Sequence, residues 1–441
     1  SDNDGAPDEC DAACVSLGMT ADTDDDNDGL PDTSDAYPLV TIDGYVDTDN
    51  DGAPDECDAA CVSLGMAADT DDDNDGLPDT ADAYPLIAIG DYVDTDNDGA
   101  PNECDAACIS LGMAADNDDD NDGVLDVDDA FPLDSSIGQR SVKYDVDGDG
   151  NADILWRNSQ DGRNWLWTMN GRSVINSAGI NVISDTAWQI VGRGDFDGDG
   201  KSDILWRNRD TGRNYIYLMD GFTIKQQGQL NYVNDSDWQI KQVADFNGDG
   251  KDDILWRHIS RGDTWIYLMD GLTATVSQAS LKVADLNWEI VASGDVNGDD
   301  KADVIWRHLI RGDNYIWLMD GTSITSRYVL NTVNSNWTIA GAGDLNDDGT
   351  DDIIWRNQSD GRNWAYLMSN GQIQTSSLIN KVGDINWQIA DISDLDGDGK
   401  ADLFWRQGQS GDSYIYLMNG VNISSRGFSN KINPQWQVIG K

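Results

Sequence analysis

Asp195-Phe196-Asp197-Gly198-Asp199-Gly200-Lys201-Ser202-Asp203-Ile204-Leu205-Trp206-Arg207 is an acidic loop that runs straight into a strand-like apolar run. Its carboxylates stand at loop positions 1, 3, 5 and 9, and glycine at position 6 supplies backbone angles that most residues resist. That spacing lets one tight turn aim several hard oxygens at a single cation. With no cation, so many like charges a few ångströms apart would repel one another. The loop predicts calcium binding, at the ~0.1 to 1 mM affinity usual for extracellular modules.

The loop returns at Asp145, Asp195, Asp245, Asp295, Asp344 and Asp394, at intervals of 50, 50, 50, 49 and 50 residues. A period of that size marks a propeller or a solenoid. Around the second copy lie Trp188-Gln-Ile-Val191, then the loop, then Ile204 to Arg207, a Gly turn, Tyr215-Ile-Tyr-Leu-Met219 and Thr223-Ile224. Alternation bounded by turn residues predicts four short antiparallel strands per copy. Trp188, Trp238, Trp288, Trp337 and Trp387 each open a copy, the first copy lacks this Trp, and Trp436 stands alone near residue 441. Trp436 to Gly440 is therefore expected to supply the start of the first copy's inner strand and Ser141 to Tyr144 its end, closing a six-bladed ring.

The expected ligands in these loops are Asp145, Asp147, Asp149 and Asp153; Asp195, Asp197, Asp199 and Asp203; Asp245, Asn247, Asp249 and Asp253. They continue with Asp295, Asn297, Asp299 and Asp303; Asp344, Asn346, Asp348 and Asp352; and Asp394, Asp396, Asp398 and Asp402. Asp300 replaces the position-6 glycine of the fourth copy and Asp347 the earlier glycine of the fifth, which makes those two loops weaker candidates. Position 12 carries no carboxylate, so water or backbone is expected to complete each shell.

Residues 141–441 resemble the FG-GAP or VCBS repeat family of calcium-loop β-propellers, on the pattern quoted at 195–207. The resemblance implies that the loop joins two strands of each blade and that positions 1, 3, 5 and 9 hold calcium.

The chain divides sharply in composition. Residues 1–139 hold 41 of the 82 acidic residues and no Lys or Arg, while all 28 bases and all 17 Trp follow. The boundary is expected near Arg140. Asp4, Asp51 and Asp98 head equivalent stretches 47 residues apart, so 1–139 reads as three units, the first truncated. Each unit holds two acidic loops separated by Glu-Cys-Asp-Ala-Ala-Cys. Expected ligands are Asp2, Asp4, Asp8 and Asp11 in an incomplete first loop; Asp24, Asp26, Asp28, Asp32 and Asp35; and Asp47, Asp49, Asp51, Asp55 and Asp58. Next come Asp71, Asp73, Asp75, Asp79 and Asp82; Asp94, Asp96, Asp98 and Asp105, with Asn102 at position 9; and Asp118, Asp120, Asp122, Asp126 and Asp129.

Residues 1 to about 134 resemble thrombospondin type 3 repeats, on the pattern Asp-x-Asp-x-Asp-Gly-x-x-Asp-x-x-Asp at Asp24–Asp35 and Asp71–Asp82. The resemblance implies a chain wrapped around calcium in place of an apolar core. Composition says the same: apolar residues are too few to offset chain entropy, and a metal-free arm is expected to be extended. The plain alternative is an acidic spacer without fixed structure.

Six cysteines form three pairs, Cys10 with Cys14, Cys57 with Cys61 and Cys104 with Cys108. Zinc knuckles usually pair two such motifs or add histidine, so disulfides within each pair are expected, in an oxidising extracellular setting. Pairing between the motifs stays open.

A net charge of −54 argues against nucleic-acid binding and against anionic membranes, and no apolar run reaches the roughly 20 residues of a membrane span. An enzyme is not expected. The two histidines, His258 and His308, sit at equivalent repeat positions with no unique Ser or Cys partner, and the carboxylates are committed to metal.

Aromatic pairs recur in the third strand, Trp165 and Trp167 through Tyr414 and Tyr416, and are expected to pack between sheets, with sugar stacking as the alternative. Arg157, Arg207, Arg257, Arg307, Arg356 and Arg406 are expected to pair with loop carboxylates. Arg261-Gly262-Asp263 and Arg311-Gly312-Asp313 spell an integrin-type tripeptide, which the shared turn glycine explains without function.

The expectation is an extracellular or cell-surface, bacterial, calcium-binding protein in which a propeller recognises a surface glycan or protein. The alternative is a structural filament subunit that binds copies of itself.

Overall fold

A computed structural model describes residues 6–42, 44–90, 92–121, 125–126, 133 and 142–440. The expected ligands Asp2, Asp4, Asp122 and Asp129, and Ser141 at the ring closure, lie outside these residues. The chain forms two compact units, Ser1–Gly138 and Gln139–Lys441.

The second unit is a six-bladed β-propeller of four-stranded antiparallel blades. Blade two shows the pattern: Trp188–Gly194 innermost, then Asp203–Asn208, Arg213–Asp220 and Thr223–Tyr232 outermost. The second strand is buried along its whole length, as expected for a strand covered on both faces by neighbouring blades. The outermost strand alternates between half-buried and exposed.

Blade one joins Trp436–Ile439 to Ile154–Asn158, with Leu155 opposite Ile439 and Asn158 opposite Trp436. Trp436 thus closes the ring as its repeat position demands. The closure differs in one respect: Val142 to Tyr144 form a turn and add nothing to the innermost strand. Tyr144 takes φ 75°, which takes the backbone out of the extended region, and its ring lies under the Arg193 guanidinium at 3.9 Å.

Trp156, Trp206, Trp256, Trp306, Trp355 and Trp405 are fully buried. Each is covered by the arginine of a neighbouring second strand: Arg157 lies 4.8 Å from the Trp206 ring, and Arg406 closes the circle over Trp156 at 4.9 Å. The repeating arginines therefore do not pair with loop carboxylates. Arg157 donates to Asn164 Oδ1, Gly162 O, Ile183 O and Trp188 O, because the buried strand end leaves carbonyls that need donors.

Among its described residues the first unit has no comparable core. Its buried apolar side chains include Cys61, Met66, Cys108 and Met113. Three short helices, which the sequence reading did not expect, stand among its loops: Ala12–Ser16, Ala59–Leu64 and Ala106–Leu111. Each carries a disulfide one turn long, Cys10–Cys14, Cys57–Cys61 and Cys104–Cys108. The repeats are stitched by backbone and tyrosine bonds: Tyr37 Oη accepts the Ala67 N–H at 2.8 Å, and Tyr84 Oη accepts that of Ala114 at 2.8 Å. Among the described residues, no helix is long and apolar enough to cross a membrane.

Candidate metal centres and the opposite face

In blades two to six the acidic loop connects the innermost strand to the second; in blade one, whose innermost strand is Trp436–Ile439, it follows the Val142–Tyr144 turn and leads into the second strand. In blade two, Asp195 Oδ1 accepts the Asp197 and Gly198 N–H groups at 3.2 and 2.7 Å, and its Oδ2 accepts that of Gly200 at 2.8 Å. Asp199 Oδ1 accepts from Lys201 N at 3.1 Å. Asp203, fully buried, accepts Phe196 N–H on Oδ2 at 2.9 Å and Met219 N–H on Oδ1 at 2.7 Å. It staples the loop to the third strand, and burial pushes its carboxyl up to about 9. The equivalent Asp153, Asp253, Asp303, Asp352 and Asp402 are pushed up to about 8, again chiefly by burial.

Position 3 is different. One oxygen of Asp147, Asp197, Asn247, Asn297, Asn346 and Asp396 is buried in every loop with no hydrogen-bond donor. A buried acceptor without a donor costs ~1–3 kcal/mol, so six in register need an explanation. They are acceptors whether the residue is Asp or Asn, which is the property a hard cation requires.

The departures in blades four and five leave the loop intact. Asp300 takes φ 59° and Asp347 φ 60°, in the left-handed region of the glycines they replace. Asp300 N still donates to Asp295 Oδ2 at 2.8 Å, and Asp347 N to Asp344 Oδ1 at 2.7 Å.

The loops of the first unit fold in the same way. Thr48 N donates to Asp55 Oδ1 at 2.9 Å and Gly52 N to Asp47 Oδ2 at 3.1 Å. Asn27, Asn50, Asn74, Asn97 and Asn121 hold position 4 with φ between 54° and 62°. In the loop from Asp24, buried oxygens of Asp24, Asp26 and Asp28 all lack donors, and ligand atoms of these three lie within 4.8 Å of one another. Asp47, Asp49 and Asp51, then Asp71, Asp73 and Asp75, then Asp94, Asp96 and Asp98 come together likewise. Asp49 and Asp96 are each pushed up to about 6, mainly by burial.

The position-12 acids divide by loop type. Asp11, Asp58 and Asp105 cap the three helices; Asp58 Oδ1 accepts Ala60 and Cys61 N–H at 2.8 and 3.0 Å and holds its carboxyl below the usual range. Asp35 and Asp82 instead lie against the next loop, where a Cβ on Gly52 or Gly99 would collide with them. Sequence reading missed Asp25, Asp72 and Asp119, each with a buried oxygen lacking a donor. Burial, then Asp79 and Asp55, push Asp72 up to about 6. The signal was legible: the helix-proximal loops carry Thr48 and Thr95 at this position, where the others carry a third consecutive Asp.

At the opposite end of each blade the aromatic pairs separate into two roles. Trp167, Tyr217 and Tyr416 are buried, and the Tyr217 hydroxyl meets Asn181 of the preceding blade at 3.3 Å. Trp165, Tyr215, Trp265, Tyr315, Trp364 and Tyr414 stay half-exposed, each edge-on to the tryptophan that opens the innermost strand of its own blade, at 5.2 to 6.4 Å. Arg163 and Arg362 lie over two of those tryptophans, Trp436 and Trp337, at 5.2 and 5.3 Å. In the Arg-Gly-Asp turns each arginine is tied to its own aspartate, Arg261 to Asp263 at 3.0 Å and Arg311 to Asp313 at 2.8 Å. Also at this end, Ser260 Oγ lies 3.3 Å from His258 Nδ1, a neighbour that the sequence reading passed over.

The propeller carries FG-GAP-like repeats, matched over residues 195–256, 245–306 and 344–405. No curated protein matches the chain. Among solved structures, a lectin from Agrocybe aegerita that recognises non-reducing terminal N-acetylglucosamine is 15% identical over 65% of this chain and 79% of its own, with a TM-score of 0.47. A chain of the nidogen/laminin complex is 14% identical over 65% of this chain and 96% of its own, TM-score 0.45. A putative 6-phosphogluconolactonase from Bacteroides uniformis is 13% identical over 64% and 84%, TM-score 0.42.

Proposed function

We propose that this is a calcium-binding extracellular recognition protein, with the propeller as its binding head and the repeat arm as a calcium-stiffened spacer. The observation that carries the calcium part is the buried position-3 oxygen without a donor, repeated in all six blades. Calcium is the fitting ion because each loop offers only oxygens, several of them carboxylate, in a turn that backbone N–H groups already hold open. Twelve loops give up to about twelve ions. Their role is structural: in the arm they substitute for a core, and in the propeller they lock the turn between the two inner strands.

Recognition is assigned to the end of the propeller away from these loops. Six half-exposed aromatic pairs, some capped by arginine, form a ring of flat apolar faces bordered by donors, which suits stacking on a sugar ring. A glycan of a cell surface or matrix is the ligand class these faces fit best.

The test is a glycan-array screen of the intact chain in millimolar calcium, with electron microscopy of the same sample. Glycan binding that falls away in Trp165→Ala or Trp436→Ala supports the reading. Calcium-dependent filaments with no glycan binding would replace it with that of a filament subunit.

A further inference from the structure

The two histidines occupy equivalent places at the ends of the second strands of blades three and four, where blades one, two and five carry Asn158, Asn208 and Asn357. They are not equivalently satisfied. His308 Nδ1 accepts the backbone N–H groups of Ile310 and Arg311 at 3.3 and 3.0 Å, which leaves its proton on Nε2 for Asp285 Oδ2 at 3.1 Å. His258 Nε2 also lies 3.1 Å from a carboxylate, Asp235 Oδ2. Its Nδ1, however, faces Ser260 Oγ at 3.3 Å, and the single hydroxyl proton of Ser260 goes to Asp237 Oδ2 at 2.6 Å. His258 thus has an acceptor on either side, and a neutral imidazole has one N–H to give.

We propose that Asp235, Asp237 and His258 form a binding site for a divalent transition metal of the zinc class, separate in place and chemistry from the acidic loops. The three side chains offer ligand atoms within 4.8 Å of one another. The 3.1 Å between His258 Nε2 and Asp235 Oδ2 is close to the ~3.3 Å edge of a tetrahedron with ~2.0 Å metal–ligand bonds. An imidazole nitrogen with two carboxylates suits zinc, whereas calcium takes oxygens alone.

The ring is held ready, buried edge-on to Trp238 with centroids 5.1 Å apart. Asp235 is 44% exposed, so an ion has a way in, and a water or an outside donor would take the fourth position. Arg261 reaches Asp235 at 3.7 Å but has its closer partner in Asp263 at 3.0 Å, so it can give way. Blade four lacks the second carboxylate, carrying Asn287 in place of Asp237 and Ile310 in place of Ser260.

The test is calorimetric titration of the intact chain with Zn2+ in saturating calcium, which occupies the acidic loops. One zinc ion is expected to bind at this site, with an affinity at least tenfold weaker in His258→Asn and in Asp237→Asn and unchanged in His308→Asn. Both test residues already stand at the matching places of other blades, and near-UV circular dichroism checks that the fold is kept. Equal zinc binding by wild type and His258→Asn, or an equal loss in His308→Asn, overturns the proposal. So does Co2+ titration of the wild type without the visible bands of a tetrahedral site, a readout that needs no variant.

Discussion

Arg193 of blade two and Asp391 of blade six form an ion pair of 2.8 Å between the two blades that flank blade one, buried to 2% and 1% exposure. Blade one stands between them, and Arg193 also donates to its Asp153 carbonyl at 2.9 Å and covers Tyr144. One side chain thus ties three blades at the seam where the ring closes. The places matching Asp391 in the other blades hold no carboxylate, carrying Gly192, Gln242, Ala292, Gly341 and Gly440, so this pairing is confined to the seam.

Arg193→Met is expected to destabilise the propeller by about 3–5 kcal/mol, because it leaves Asp391 buried without its partner. Arg193→Met with Asp391→Leu should recover much of that loss. Chemical denaturation in constant calcium reads both, and equal losses in the single and double variants would contradict the assignment.

Removing the position-3 acceptor should weaken calcium binding without harming the turn. Asp197→Ala is expected to lower the melting temperature in calcium and to leave it unchanged or raised in chelator, where the donor-less oxygen is only a cost; a site held at about 100 times Kd contributes about 2.7 kcal/mol. Asp197→Asn should retain most of the effect, since Asn247, Asn297 and Asn346 fill this position elsewhere. Thermal scans in the two buffers give the comparison.

Asp300→Gly and Asp347→Gly should each stabilise their blade by up to about 1 kcal/mol, since both aspartates sit at positive φ where a side chain is disfavoured. Denaturant midpoints measure this directly. A loss in either variant would mean that the side chain has a role of its own.

Acid should act on the loop before blade four. Asp285 is held down to about 2 by the Asn287 backbone and side chain and then by His308. A depressed carboxylate contributes stability above its unfolded value near 3.9 and loses it as pH falls toward 2. Asp285→Asn is expected to flatten that part of the acid profile, followed by melting temperature between pH 5 and pH 2.

The propeller was legible because its period, its strand alternation and the stray Trp436 each report on chain geometry, and all three agree. The seam was not, since Arg193 and Asp391 lie 198 residues apart and meet only when the ring has closed. In the arm the loops were readable from glycine and carboxylate spacing. The helices were not, because five or six residues such as Ala59–Leu64 fall below the length at which periodicity shows, and Asp58 looks alike as ligand and as cap. His258 and His308 share a repeat position, and only their neighbours, Ser260 and Ile310, distinguish them.

Calcium is the premise on which the arm and the propeller loops both depend. Equilibrium dialysis of the intact chain in millimolar calcium, counted by elemental analysis and paired with small-angle scattering before and after chelation, tests it most directly. The expected result is close to twelve ions per chain, with expansion of the arm and a lower propeller melting temperature once they are removed. Binding of one ion or none, with scattering and melting unchanged in excess chelator, would contradict it.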